Sequence, residues 1–210
     1  MPSSRPELIP FVVNLVMQLQ PRSILEIGTG FGKYGFLFRE YLDIWGAAAD
    51  PARLAPDKWQ IKIDGIECFG PYISSLQRQI YNRIIIGDAL TEIDQLGRYD
   101  LIFLGDVIEH FTKQDGSQLL DKCLARANRM VLVTTPNYFN PQGPEYGNER
   151  ETHHCLWTRE DFGRFPGAQC FIVAERYNLA ILPAPAAAPL DKPVALAAHK
   201  HDSPAGVHVA

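Results

Sequence analysis

The sequence predicts an α/β fold: a doubly wound, mostly parallel seven-stranded sheet that ends in an antiparallel C-terminal hairpin. Three observations carry the prediction. Five short apolar runs alternate along the chain with segments of helical periodicity, the pattern of a parallel sheet covered on both faces. The first run breaks at Gly28-Thr29-Gly30-Phe31-Gly32, where a helix follows at once. The last two runs, Cys170–Glu175 and Asn178–Pro183, are split only by Arg176-Tyr177, a spacing that suits a hairpin at a sheet edge.

Each element follows in order. Leu8, Phe11, Val12, Leu15 and Leu19 recur at helical spacing, so residues 6–20 read as an opening helix that Pro21 ends. Residues 23–28 are the first strand and 30–42 the next helix. Residues 43–60 break the pattern and read as an irregular insertion, with Trp45 and Trp59 either anchoring it or covering a pocket. Ile61–Cys68 is the second strand, Pro71–Tyr81 a helix, and Ile84–Ile86 a buried third strand that stops at Gly87-Asp88. A short helix carries Leu90, Ile93 and Leu96. Leu101–Leu104, a helix over 116–127 and Met130–Val133 complete the alternation. A polar loop, 136–156, leads to a short helix from Thr158 to Phe165. Residues 1–183 are thus expected to form one domain, and 184–210, rich in Ala and Pro, a mobile tail in which His199, His201 and His208 have no role.

Composition narrows the function. The chain has 210 residues and a formal net charge of −4, a balance that argues against a broad nucleic-acid surface. No apolar run approaches the roughly 20 residues of a membrane span, and the first residues lack the apolar core of a signal peptide. Cys68, Cys123, Cys155 and Cys170 are scattered without a CxxC pair, which suits a reduced cytoplasmic protein better than a zinc site.

Ligands of such sheets bind outside the carboxyl ends of the strands, and the unusual polar residues fall there. Strand one ends in Glu26-Ile27-Gly28, strand two in Asp64-Gly65-Ile66-Glu67-Cys68, strand three in Gly87-Asp88-Ala89 and strand four in Gly105-Asp106. A glycine turn before a helix lets backbone N–H groups approach a ligand. Any one of these acids could instead cap a helix; their recurrence at successive strand ends favours a ligand site. A nicotinamide dehydrogenase would want G-x-G-x-x-G, whereas the chain has Gly28-x-Gly30-x-Gly32.

The Glu26-x-Gly28-x-Gly30-x-Gly32 turn and these strand ends resemble the class I S-adenosylmethionine-dependent methyltransferases, over about residues 20–183. The resemblance implies a Rossmann-like fold and assigns S-adenosylmethionine to Glu26, Gly28, Thr29, Gly30, Glu67, Cys68, Asp88, Ala89, Gly105 and Asp106. Glu67 would accept both ribose hydroxyls, with Asp64 as the fallback; Asp88 would face the adenine amino group, and Gly105-Asp106 would wall the methionine end. Lys33 and Tyr34 either face the cofactor carboxylate or lie on the surface of a helix start.

The segment Asp106-Val107-Ile108-Glu109-His110-Phe111 carries the chemistry. If a helical turn starts at Asp106, residues 106, 109 and 110 share a face, a half-site whose oxygen-rich donors suit Mg²⁺ or Mn²⁺. The bland alternative is a helix start with dipole-favoured acids and a packed histidine. Together with Glu151-Thr152-His153-His154-Cys155-Leu156-Trp157-Thr158-Arg159, this segment resembles the Mg²⁺-dependent small-RNA 3′-terminal 2′-O-methyltransferases, and its acid and histidine spacing the ubiquinone-pathway O-methyltransferases. It is equally similar to small bacterial methyltransferases found with polysaccharide biosynthesis. The resemblance implies a cation on Asp106, Glu109, His110 and His153, and places Asp106, His110, His153 and His154 in hydroxyl activation, without deciding between the two last histidines. The expected acceptor is a small polar, sugar-like or diol-bearing molecule; an RNA 3′-end and a non-catalytic S-adenosylmethionine-binding regulator are the alternatives.

Overall fold

The computed structural model describes residues 4–45 and 50–185. The expected tail beyond 185, with its three histidines, lies outside the described residues. The strands are β1 (Ser23–Ile27), β2 (Lys62–Glu67), β3 (Arg83–Ile86), β4 (Tyr99–Gly105), β5 (Ala127–Pro136), β6 (Gln169–Val173) and β7 (Tyr177–Pro183). They form one seven-stranded sheet in the order β3-β2-β1-β4-β5-β7-β6. The pairs among β1 to β5 are parallel, and β7 runs antiparallel to both β5 and β6.

Alternation along the strands splits the core in two, because successive side chains point to opposite faces. Leu25, Ile27, Ile102, Leu104, Val131 and Val133 face one side, packed against Ile93, Leu119, Leu120 and Phe162. These come from α4 (Ala89–Glu92) and the turn after it, α5 (Lys113–Arg126) and α6 (Arg159–Gly163). Ile24, Ile63, Leu101, Phe103 and Leu132 face the other, against Val12, Leu15, Val16, Phe38 and Ile80 of α1 (Ile9–Leu19), α2 (Lys33–Arg39) and α3 (Ser75–Ile80).

The strand order reverses direction between β1 and β4, which opens a crevice at their carboxyl ends. Helix starts are fixed locally. Ser74 with Gln77, and Thr158 with Asp161, form capping boxes, and the Thr112 hydroxyl accepts the Asp115 N–H.

Several elements depart from the sequence reading: the helix read over Pro71–Tyr81 is a 3₁₀ turn, Gly70–Tyr72, followed by α3, and α5 begins at Lys113. The helix after the first strand begins at Lys33 rather than at residue 30. Gly28, Gly30 and Gly32 all take positive φ, so the turn consumes the residues that periodicity assigned to the helix. The insertion, where described, opens on the end of a π-helical turn, Glu40–Ile44, and holds two short 3₁₀ turns, Pro51–Leu54 and Pro56–Lys58. Trp59 anchors it, its ring 4.4 Å from the Arg39 guanidinium carbon; Trp45 is exposed, stacked on Tyr41.

Candidate active site at the carboxyl ends of β1 to β5

A cavity of about 550 Å³ opens over the strand ends, and all ten residues assigned to the cofactor line it: Glu26, Gly28, Thr29, Gly30, Glu67, Cys68, Asp88, Ala89, Gly105 and Asp106. Its volume lies within the range of small-molecule sites. Gly28 cannot be replaced cheaply: φ is +72°, and an added Cβ would stand 2.4 Å from Val107 Cγ2. Two buried hydroxyls on the cavity wall, Thr29 Oγ1 and Tyr34 Oη, have no hydrogen-bond partner among the described residues. Orphaned hydroxyls cost free energy unless a ligand satisfies them, so the wall suits a polar ligand.

The acids are set by backbone and side-chain donors. Glu67 accepts the Gly30 N–H at 2.8 Å on one oxygen and the Phe69 N–H at 2.9 Å on the other. The Cys68 thiol also donates to the second oxygen, at 3.7 Å, so a lone pair stays open on the first, where a ligand hydroxyl can donate. Asp88 Oδ1 caps α4 through the Leu90 N–H at 2.9 Å, and the side chain lines the cavity. Asp64 is buried with Tyr99 and Lys62, 2.7 and 3.0 Å from Oδ2, and does not line the cavity.

Glu26 is buried and accepts the Tyr81 hydroxyl at 2.7 Å. Burial, with a smaller push from Glu67, raises its carboxyl to about 8, against the pull of the Tyr81 hydrogen bond. A raised pKa in the folded state contributes stability that is fully present below the unfolded value near 4.5 and is lost as pH rises through about 8. Glu26→Gln keeps an acceptor for Tyr81 and cannot ionise. In the cofactor-free protein it is expected to melt with the wild type near pH 4 and above it at pH 9, by on the order of a few kcal/mol. Melting curves that coincide at both pH values would refute the burial argument.

The segment after β4 does not form the helical face expected of it. Asp106 takes φ +54°, and Ile108–His110 is a single 3₁₀ turn. At this left-handed residue, tolerable for Asp, Oδ1 accepts from the Thr134 hydroxyl at 3.4 Å. Burial raises its pKa, with Ser4 first and then Thr134 and Lys33 opposing. Lys33 in turn donates to the Ser4 carbonyl, so it is held at the cavity wall.

The tertiary fold instead brings together Glu109, His110 and His153, with one potential ligand atom of each within 4.8 Å of the others. The rings of His110 and His153 meet edge to face at 4.7 Å. His110 Nδ1 lies 3.3 Å from the Thr152 carbonyl and His153 Nδ1 2.6 Å from the Asn140 carbonyl. A carbonyl only accepts, so both Nδ1 atoms carry the proton and both Nε2 atoms are left with a lone pair. This is the outer-shell arrangement that orients metal-ligating histidines. Thr135 donates to Glu109 Oε2 at 3.0 Å. Burial, and secondarily His153, lowers His110 to about 4, and burial lowers His153 as well; both are neutral near pH 7. Burial, with Asp106 beside it, raises Glu109 well above the carboxylate range. A buried carboxyl flanked by two neutral imidazoles fits a divalent cation, which would restore the carboxylate charge. Asp106 lines the cavity outside this trio, and His154 is exposed and lines no part of it.

Sequence reasoning missed part of the wall: Tyr72, Asn140, Gln142, Asn148, Arg150 and Glu151. Nearness to His153 in the chain could have suggested all of them but Tyr72, which lies just past the end of β2.

The sheet order with its reversed C-terminal hairpin, above a glycine turn and four strand-end acids, decides the fold. It is the class I methyltransferase fold. A methyltransferase described as S-adenosylmethionine-dependent, from Archaeoglobus fulgidus, superposes with a TM-score of 0.58 at 13% identity, over 84% of this chain and 90% of its own. The methyltransferase domain of bacterial CtHen1-CN gives 0.54 at 15%, over 84% and 97%. An O-methyltransferase family protein from Burkholderia thailandensis gives 0.57 at 14%, over 86% of this chain but 56% of its own, so this chain spans about half that protein. No family model matches the sequence, and no curated protein does. Among the described residues, no helix is long and apolar enough to cross a membrane.

Proposed function

We propose that this class I fold is an S-adenosylmethionine-dependent O-methyltransferase acting on a hydroxyl of a small polar acceptor, sugar-like or bearing a diol. The observation that carries the reading is the Glu109, His110 and His153 trio on the wall of the same cavity that holds the glycine turn and Glu67. In this reading Glu67 would take the ribose, Asp88 the adenine end, and Glu26, Thr29 and Tyr34 the methionine end. Bound S-adenosylmethionine would supply the methyl group as an electrophile and leave as a neutral thioether.

An alcohol is a poor nucleophile at neutral pH. A divalent cation held by Glu109, His110 and His153, when bound, would lower the hydroxyl pKa and orient two neighbouring oxygens. With the cation held, the Nε2 lone pairs are engaged on it and the hydroxyl proton leaves to water; without it, the neutral imidazoles present an Nε2 that can itself take the proton as the carbon–oxygen bond forms. The protein also aligns acceptor and methyl donor, which is most of what this chemistry asks. The same trio would serve an RNA 3′-terminal diol; the net charge of −4 supports the small acceptor instead.

Calorimetric titration with S-adenosylhomocysteine, then with Mn²⁺ and after EDTA, tests the reading. Micromolar binding that Glu67→Ala abolishes, plus a Mn²⁺ heat lost in His110→Ala, is expected. Folded protein that gives no heat with S-adenosylhomocysteine would end it.

A further inference from the structure

The loop between β5 and α6 crosses the cavity and comes back. Its outward reach ends on the side of β2 and β3. There Arg150 Nη2 lies 3.0 Å from Asp88 Oδ2, and the Tyr72 hydroxyl donates to Glu151 Oε1 at 3.1 Å. Two residues later the same loop supplies His153 on the opposite side. The His153 N–H donates to the Gln142 carbonyl at 3.0 Å, and the His154 N–H to the Glu109 carbonyl at 2.8 Å. Gln142 Nε2 in turn donates to the Glu151 carbonyl at 2.8 Å. Trp157, buried, pins the return: its Nε1–H donates to the Ile108 carbonyl at 3.1 Å, on the turn that carries Glu109 and His110. The backbone path from Arg150 to His153 is therefore a short, hydrogen-bonded strap over the cavity.

We propose that Arg150 is a positioning residue: its latch onto Asp88 closes the strap over the adenosine end of a bound cofactor and thereby fixes His153. The inference rests on the cofactor reading of the cavity. The physics lies in the exposure of the pair. The Arg150 side chain is 62% exposed, so in water the ion pair is weak. A flat heteroaromatic ring filling the space beneath would displace water, and the same charges would attract more strongly. A guanidinium also lies favourably on such a ring. Asp88 has committed only Oδ1, to the Leu90 N–H, and Oδ2 can be shared between Arg150 and a ligand amino group. Linkage makes the effect reciprocal: whatever the ligand adds to strap closure, the strap adds to ligand affinity.

The test combines calorimetry with hydrogen exchange in the full chain, using S-adenosylhomocysteine and the variants Arg150→Gln and Arg150→Lys, both first shown to melt with the wild type. Saturation should slow exchange of the His153 and His154 amides about tenfold in the wild type. Arg150→Gln should lose the slowing and about tenfold in affinity, and Arg150→Lys, which keeps the charge but not the planar fork, should recover part of both. An affinity loss in Arg150→Gln with the slowing intact at saturation would reduce Arg150 to a ligand contact and overturn the proposal, as would binding to the wild type without any slowing. Absence of binding to the wild type would overturn the cofactor reading, and the latch with it.

Discussion

His153→Ala is expected to lower methyl transfer by about 10²–10⁴-fold, the usual scale for losing a positioned proton acceptor, while S-adenosylhomocysteine binds within a few-fold of normal. His153 stands edge to face with His110 at the cavity wall, its Nδ1 committed to Asn140 and its Nε2 left with a lone pair. Alanine removes that lone pair and one of three candidate cation ligands. The neighbouring His154→Ala supplies the contrast. That side chain is exposed and off the cavity, so its removal should leave kcat within about twofold, as expected for a surface substitution. Steady-state kinetics on both variants, with added Mn²⁺, makes the check. Equal losses in the two, or a His153→Ala enzyme of normal kcat, would dissolve the role given to the trio.

Arg39→Leu is expected to cost about 3–5 kcal/mol of stability, the range for breaking a buried ion pair from one side. Arg39 is 1% exposed yet fully engaged. It pairs with Asp43, donates to the Ile61 carbonyl at 2.7 Å and, through Nη2, to the Ile80 carbonyl at 2.9 Å and Asn82 Oδ1 at 3.1 Å. Asp43 Oδ1 accepts the Gln60 N–H at 2.7 Å. One guanidinium thus ties α2, the end of the insertion and the start of β2 to the end of α3. Leucine leaves Asp43 charged, buried and unpaired. Arg39→Leu/Asp43→Leu removes that charge too and should lose less than the single change, because the pair's penalty is shared. Urea unfolding reads both; a single-variant loss below about 1 kcal/mol would show that the cluster is incidental.

Most of the sheet could be read in the chain because its signals are local. A buried parallel strand needs an unbroken apolar run, and Leu101–Leu104 or Met130–Val133 can be little else between helical segments. The strand-end acids were legible for the same reason: Glu67 and Asp88 each sit just where an apolar run stops. The register of the chemistry was less so. Asp106, Glu109 and His110 share a face only if an α-helix begins at once, and the left-handed backbone at Asp106 cannot be read from a non-glycine residue.

What the sequence determined by itself is the alternation of strands and helices, the glycine turn, and the row of polar residues at the strand ends. Each depends on residues within a few positions of one another. Only the tertiary structure decided which histidine joins Glu109 and His110, that Arg39 is a buried clamp, and that Arg150 meets Asp88. The histidine pair and the Arg150–Asp88 pair join residues tens of positions apart through a loop that crosses the cavity, and Arg39 reaches carbonyls on two other elements. Their distances follow from how the layers pack, which no local pattern of side chains encodes.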